Sequence, residues 1–171
     1  MKPINIGILG LGTVGTGAVE VLKDNAAEIS RRLGRDVNVF MVSSRNAEKA
    51  KAVCPSETLV TADPFEVVRH PDVDIVAELF GGTDLARELV MEALRNGKHV
   101  VTANKKLLAE YGNEIFSLAE QKNVMVQFEA AVAGGIPIIK ALREGLAANH
   151  IQSIAGIING TSNFILSEMR E

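Results

Sequence analysis

Several residue types are scarce in this chain of 171 residues, and each scarcity narrows its possible folds and functions. There is no tryptophan, and aromatic residues make up only 4% of the chain although hydrophobic residues make up 47%. The core must therefore consist of Val, Ile, Leu and Ala, the usual filling of a parallel sheet covered by helices. The single cysteine, Cys54, excludes an intrachain disulfide and suits a reducing compartment. We interpret it as a small hydrophobic residue borne by a helix.

The chain also lacks an excess of positive charge and a long apolar run. Its formal net charge is -3, which argues against a nucleic-acid-binding protein, because such proteins carry a basic patch. The longest uncharged stretch, residues 151–166, contains Gln, Ser, Asn and Thr and is too short and polar for a membrane span. The N-terminal apolar run has no convincing signal-peptide cleavage site. We therefore expect a cytoplasmic protein that binds neither nucleic acid nor membrane.

Short apolar runs alternate with amphipathic stretches of helical period along most of the chain. The predicted strands are residues 4–9, 37–42, 72–78, 98–102 and 124–129. The predicted helices are residues 14–33, 46–53, a short one from 63, 84–96, 105–110 and 113–122. This order is typical of an α/β fold with a Rossmann-type, doubly wound parallel sheet.

The composition of the sequence changes after Glu129. Small residues and glycines replace the alternation of strand-like and helix-like segments. Residues 138–148 are predicted to be helical, residues 151–158 to form a strand, and residues 161–171 to form a helix capped by Thr161 or Ser162. We therefore predict a first domain over residues 1–133 and the beginning of a second, α+β domain over residues 134–171.

A glycine-rich loop, Gly10-Leu11-Gly12-Thr13-Val14-Gly15, joins the first predicted strand to the first helix. In a dinucleotide site, Gly10 permits the tight turn, Gly12 lets the backbone approach a pyrophosphate, and Gly15 allows close helix–strand packing. The positive end of the helix would face the pyrophosphate. The alternative is a glycine-rich turn without a ligand. Because strand, loop and helix are all in place, we favour dinucleotide binding.

The end of the second predicted strand bears on the choice of nicotinamide cofactor. The sequence there is Ser43-Ser44-Arg45, without the acidic residue that usually binds the ribose hydroxyls of NAD. These side chains could instead hold a 2′-phosphate, to which an arginine offers paired hydrogen bonds. Alternatively, Arg45 is a solvated residue at a helix start. NADP is favoured and NAD remains possible.

Two later loops also follow predicted strands, at the sheet edge where ligands of such folds bind. Gly81 and Gly82 would let backbone approach the cofactor. Lys105 could direct a cation at the nicotinamide or at a substrate oxygen, or it could be a surface lysine. A lysine at a helix N-terminus is electrostatically unfavourable, which points weakly to a function.

The segment from Glu129 to Pro137 places one carboxylate before a loop of small residues. The carboxylate and the loop carbonyls could bind a hard cation. From chemistry alone, a crossover turn between domains that simply requires small residues is the preferred interpretation. The three histidines are far apart in sequence, without metal-ligand spacing, and are interpreted as structural.

Five ordered motifs resemble the homoserine dehydrogenase family across the whole chain. They are residues 7–15, Glu78-Leu79-Phe80-Gly81-Gly82, Val101-Thr102-Ala103-Asn104-Lys105, residues 129–137, and Gly156-Ile157-Ile158-Asn159-Gly160-Thr161-Ser162-Asn163. The resemblance implies an NAD(P)-dependent oxidoreductase that interconverts L-aspartate 4-semialdehyde and L-homoserine in threonine and methionine biosynthesis. It also implies a small-molecule substrate and a homodimer for the full-length enzyme.

The resemblance implies roles for individual residues. The cofactor would be bound by Gly10, Gly12, Thr13, Val14, Gly15, Arg45, Gly81 and Lys105. Lys105 would also be catalytic, assisting proton transfer or polarising the carbonyl, and Gly160 and Thr161 would help to hold the substrate. A sodium ion would be bound by the Glu129 carboxylate and the carbonyls of Val132, Gly134 and Ile136, which reverses the preference from chemistry alone.

Family members continue well beyond residue 171, and further substrate-binding carboxylates and a second essential lysine belong to that later sequence. We therefore expect an N-terminal fragment: an NAD(P)-binding domain plus the opening of a catalytic and dimerisation domain. Such a fragment should bind cofactor weakly at best and should not turn over homoserine. Two alternatives are aspartate-semialdehyde dehydrogenase, for whose nucleophile Cys54 is poorly placed, and an NAD(P)-binding regulatory or sensing module without catalysis.

Overall fold

A computed structural model describes residues 1–157 and 159–170, with the backbone alone at Thr161. Its centre is a parallel sheet of six strands in the order β3-β2-β1-β4-β5-β6. The strands are β1 (Ile4–Leu9), β2 (Val37–Ser43), β3 (Leu59–Thr61), β4 (Ile75–Glu78), β5 (His99–Thr102) and β6 (Val126–Gln127). The strand order reverses between β1 and β4, which confirms the predicted doubly wound architecture.

Helices connect the strands and cover both faces of the sheet. They are α1 (Thr13–Asp24), α2 (Ala26–Leu33), α3 (Ala47–Val53), α4 (Pro64–Arg69), α5 (Asp84–Arg95), α6 (Lys105–Lys122), α7 (Ile138–Lys140) and α8 (Gly160–Glu168). A 3₁₀ turn, Glu129–Ala131, precedes α7, and a π-helical turn, Ala141–Gly145, follows it. None of the described helices is both long and apolar enough to cross a membrane.

The core consists of two aliphatic clusters, one on each side of the sheet. Ile8 and Leu9, neighbours in β1, are both fully buried but point to opposite faces. Leu9 packs into the cluster formed with α4, α5 and α6, whereas Ile8 packs into the cluster formed with α1 and α3. Cys54, directly after α3, is buried in the second cluster, and this burial raises the pKa of its thiol. The interpretation of Cys54 as a buried hydrophobic residue is confirmed.

Two predicted helix boundaries are wrong. The helix predicted over residues 14–33 is interrupted at Asn25, whose side-chain amide donates to the Val21 carbonyl and closes the end of α1. The two helices predicted over residues 105–110 and 113–122 are the single helix α6. Gly112 stays helical and buried within it, beside the Phe116 ring. Packing here overrides the weak helix propensity of glycine.

The predictions for the last 21 residues are partly wrong. Residues 151–157 form no strand and are exposed, and Ile158 lies outside the described residues. The last helix begins at Gly160, and its cap is Asn159, whose side chain accepts a hydrogen bond from the Ser162 N–H at 3.0 Å. Neither Thr161 nor Ser162 is therefore the cap. The domain division between residues 133 and 134 stays a prediction.

Candidate functional site

The carboxyl ends of the central strands meet at one edge of the sheet. The Gly10 N–H donates to the Ser43 carbonyl at 3.0 Å, and the Leu79 N–H donates to the Leu9 carbonyl at 3.1 Å. These bonds bring together the loops after β1, β2 and β4. Ligands of doubly wound sheets bind at this edge, beside the reversal of strand order.

The three glycines of the first loop occupy different surroundings. Gly10 has a φ of +93°, and a Cβ there would lie 2.7 Å from the Phe80 Cβ. A Cβ on Gly15 would collide with the Gly10 carbonyl oxygen, so the first turn of α1 packs directly against the loop. A Cβ on Gly12 would meet no atom within 4 Å. The loop is thus tightly packed at its two ends and open at its centre, where a ligand could approach.

The N-terminus of α1 faces this open space. Its N-cap is Gly12, with no side-chain capping bond, and its first turn contains no acidic residue. Thr13 and Val14, the first two helical residues, are exposed. The first backbone N–H groups of a helix have no partner within the helix and carry its positive dipole end. This terminus can therefore bind an anion.

A first cleft of about 750 Å³ lies between the glycine loop and the end of β2. Gly12, Ser44, Arg45 and Lys49 are among its lining residues. The Ser44 hydroxyl and the Asn46 backbone bond to one another, and the Asn46 side chain caps α3, so this turn has a defined shape. The exposed Arg45 side chain borders the cleft.

A second cleft of about 490 Å³ lies between the ends of β4 and β5. Leu79 and Phe80 border both clefts. Val14, Gly81 and Lys105 line the second cleft. Lys105 is exposed and is the first residue of α6, which is capped by the Asn104 side chain accepting from the Leu107 N–H at 3.1 Å. The structure thus brings Gly81 and Lys105 together, as the sequence predicted.

Sequence reasoning assigned no role to Glu78, which also lines the second cleft and is fully buried. Its carboxylate accepts a hydrogen bond from the Thr102 hydroxyl at 2.6 Å. An acidic residue closing an apolar strand was visible in the sequence. Its pairing with Thr102, 24 residues away, was not visible there, because only the pairing of β4 with β5 brings the two side chains together.

The Glu129 carboxylate lies against the start of α7. Its two oxygens accept hydrogen bonds from the Ile139 and Lys140 N–H groups, each at 2.9 Å. The nearby Ile136 carbonyl accepts from the Ile138 N–H at 2.8 Å. The described residues contain no cluster of three or more His, Cys, Asp or Glu, a result that does not bear on a site made of one carboxylate and several carbonyls. The sodium site stays a prediction.

The predicted substrate residues lie apart from the clefts as far as the structure describes them. Gly160 is exposed at the start of α8 and is not among the described residues that line either cleft. The Thr161 side chain lies outside the described residues. Two histidines have structural partners: His70 Nδ1 accepts from the Asp72 N–H and His99 Nδ1 from the Met125 N–H.

Family models match most of the chain. Residues 10–129 match the model described as "Homoserine dehydrogenase, NAD binding domain", and residues 137–171 match the model described as "Homoserine dehydrogenase". The homoserine dehydrogenase of Neisseria gonorrhoeae is 72% identical over 171 residues, and that of Pseudomonas aeruginosa is 59% identical over 172. Each alignment covers 100% of this chain, but the chain spans only 39% of the length of each relative.

Solved structures of homoserine dehydrogenases are also similar to this chain. A homoserine dehydrogenase from Thiobacillus denitrificans superposes with a TM-score of 0.90 at 64% identity, over 99% of this chain and 39% of that one. A hyperthermophilic archaeal homoserine dehydrogenase, solved in complex with NADPH, superposes with a TM-score of 0.79 at 31% identity, over 98% of this chain and 56% of that one.

Proposed function

Because this chain belongs to the homoserine dehydrogenase family, we propose that it is the cofactor-binding portion of an NADP-dependent enzyme that interconverts L-aspartate 4-semialdehyde and L-homoserine. The observation that carries the proposal is the uncapped N-terminus of α1 facing the open centre of the glycine loop, at the switch point of the sheet. A threonine and methionine biosynthetic role and a cytoplasmic location are part of the proposal.

The residues present fit a dinucleotide. The open surface at Gly12, between Gly10 and Gly15, leaves room for a pyrophosphate, which the N–H groups of Thr13 and Val14 at the start of α1 would bind. The adenosine half would occupy the first cleft, and Arg45 would bind the 2′-phosphate of NADP. The archaeal relative in complex with NADPH supports this choice, and NAD remains the alternative cofactor.

The nicotinamide half would occupy the second cleft, beside Gly81 and Lys105. When bound, NADPH supplies the hydride that reduces the aldehyde carbon of the substrate. The Lys105 ammonium would donate a hydrogen bond to the aldehyde oxygen, polarising the carbonyl and stabilising the negative charge that develops there. In homoserine oxidation the same side chain would assist removal of the hydroxyl proton.

Three further assignments extend the proposal beyond the two clefts. Gly160 and Thr161 would help to hold the substrate. The Glu129 carboxylate and the carbonyls of Val132, Gly134 and Ile136 would bind sodium, since oxygen ligands suit a hard cation. The full-length enzyme would be a homodimer.

Titration of the full-length protein with NADPH and NADH tests the cofactor assignment. Replacing Arg45 with alanine should weaken NADPH binding about tenfold, the loss expected for one charge-assisted hydrogen bond, and leave NADH binding unchanged. Arg95→Ala, at the end of α5, is the matched control. Equal losses for the two cofactors would contradict the role of Arg45.

Activity is tested in the full-length protein by following NADPH formation with homoserine as substrate. Lys105→Ala should lower kcat by at least about a hundredfold while NADPH binding changes little, because a proton-transfer group acts mainly in the transition state. Cofactor binding without turnover of homoserine by the unmodified full-length protein would contradict the enzyme assignment and favour a sensing module.

A further inference from the structure

One carboxylate at the cleft edge is completely buried. Glu78 closes β4 after three uncharged residues and has no exposed surface. No ion pair involving Glu78 occurs in the part of the chain that the structure describes. Burial of a carboxylate is costly, so one without a cation must be held by hydrogen bonds. An apolar residue at this position would be buried with a smaller desolvation free energy. The presence of Glu78 therefore requires another explanation.

The hydrogen bonds of Glu78 join the two turns that form the second cleft. Its Oε2 accepts from the Thr102 hydroxyl at 2.6 Å, and its Oε1 accepts from the Gly81 N–H at 3.2 Å. The Asn104 side-chain amide lies 3.5 Å from Oε1 and donates to the Gly82 carbonyl at 2.6 Å. The Thr102 hydroxyl in turn accepts from the Asn104 N–H at 3.0 Å. The turn after β4 and the turn after β5 are thus one connected network.

Each of these turns needs an external restraint. Gly81 and Gly82 have φ values of +77° and +80°, and neither would bring a Cβ within 4 Å of another atom. Two hydrogen bonds from the network restrain them, one from the Gly81 N–H and one to the Gly82 carbonyl. On the other side, Asn104 caps α6 and precedes Lys105. The same network thus sets the starting point of the helix that carries Lys105.

We propose that Glu78 is the positioning residue of the second cleft, holding the Gly81-Gly82 turn and the start of α6 in the arrangement that receives the nicotinamide half of the cofactor. This inference rests on the proposed function. Leu79 and Phe80 line both clefts, but the first cleft is otherwise lined by residues such as Gly12, Ser44 and Arg45, whose hydrogen bonds in the described structure do not involve the network. Loss of the Glu78 carboxylate should therefore weaken binding of the nicotinamide half of the dinucleotide and leave binding of the adenosine half unchanged.

The experiment, on the full-length protein, compares NADPH with 2′-phospho-ADP-ribose, which keeps the adenosine, its 2′-phosphate, the pyrophosphate and the second ribose but lacks nicotinamide. In Glu78→Gln, one carboxylate oxygen becomes an amide donor that cannot accept from Thr102 or Gly81. The dissociation constant for NADPH should rise about tenfold, while that for 2′-phospho-ADP-ribose stays within about twofold. Glu88→Gln, an exposed glutamate on α5, is the control and should change neither.

Equal weakening of both ligands, or no change in either, would overturn the proposal. If Glu78→Gln does not fold, Thr102→Val removes the same hydrogen bond with nearly the same volume and should give the same split between the ligands. Should the unmodified full-length protein fail to bind NADPH, the proposed function itself is wrong. The unmodified protein could bind NADPH normally while both variants change the affinities for NADPH and 2′-phospho-ADP-ribose equally. That result would refute only the role of Glu78.

Discussion

The Lys49 ammonium in α3 donates a hydrogen bond to the Leu11 carbonyl oxygen at 2.8 Å, which ties α3 to the centre of the glycine loop. Leu11 is itself buried, so this bond fixes the backbone immediately before Gly12. Leu11 and Lys49 both line the first cleft.

Replacing Lys49 with methionine should weaken NADPH binding about threefold to tenfold, because the loop loses one charge-assisted hydrogen bond that keeps it in its binding shape. The urea midpoint should change little, since the side chain is exposed. Lys51→Met, on the same helix and also exposed, is the control. An unchanged NADPH affinity in Lys49→Met would show that the loop keeps its shape without this bond.

The packing of Gly15 against the Gly10 carbonyl gives a second prediction. Gly15→Ala introduces a methyl group that collides with backbone, so we expect a loss of about 1–3 kcal/mol in the free energy of unfolding. NADPH binding should also be lost, because the loop must shift. Gly17→Ala, two residues later in α1 with no atom near its Cβ position, should instead stabilise the protein by about 0.5–1 kcal/mol. Urea unfolding of both variants distinguishes steric collision from a general effect of alanine.

The sequence was sufficient to predict five of the six strands of the sheet, because buried parallel strands are nearly continuous apolar runs. It was insufficient where few residues form an element: β3, Leu59–Thr61, has only three residues and was not predicted. Residues 151–157 show the opposite error. They have the apolar composition of a strand, but in the described structure they are exposed, and a strand is defined by pairing rather than by composition.

The same distinction applies to the candidate site. The glycine loop, Arg45 and Lys105 were predicted because each follows a strand in sequence, and strand ends converge at one edge. Glu78 was missed because its importance lies in its bonds to Thr102 and Gly81. Those bonds depend on the register of β4 against β5, in which Glu78 lies opposite Thr102. Nothing in the local sequence encodes that register.

The Glu129 carboxylate provides a third prediction, independent of sodium. It accepts hydrogen bonds from the Ile139 and Lys140 N–H groups at the start of α7. In Glu129→Ala these amides lose their partner, so their hydrogen exchange should accelerate by about tenfold, as should exchange in the following turn. Glu144→Ala removes a carboxylate from the adjoining turn without touching either amide and is the control. Unchanged exchange in Glu129→Ala would mean that the segment is held by other contacts.

A fourth prediction concerns Lys98, a buried lysine directly before β5. It lies at the amino ends of the strands, whereas the clefts lie at their carboxyl ends. Its ammonium donates to the His70 and Val73 carbonyls at 2.6 Å and 2.7 Å. Burial lowers the pKa of Lys98 below its ordinary value of 10.5, and the nearby Asp74 and Asp72 oppose that shift only partly.

The sign of the pH dependence follows from this shift. Between the lowered pKa of the folded state and the ordinary pKa of the unfolded chain, the unfolded chain binds more protons at Lys98. The contribution of this side chain to stability therefore increases as pH rises through that interval. The free energy of unfolding of unmodified protein minus that of Lys98→Met should grow as pH rises toward 10.5, because the methionine variant lacks the titration and other groups cancel in the difference. Lys23→Met, at an exposed position in α1, controls for the general effect of removing a lysine. A difference that stays flat or falls with pH for Lys98→Met would contradict the burial of a charged ammonium at this position.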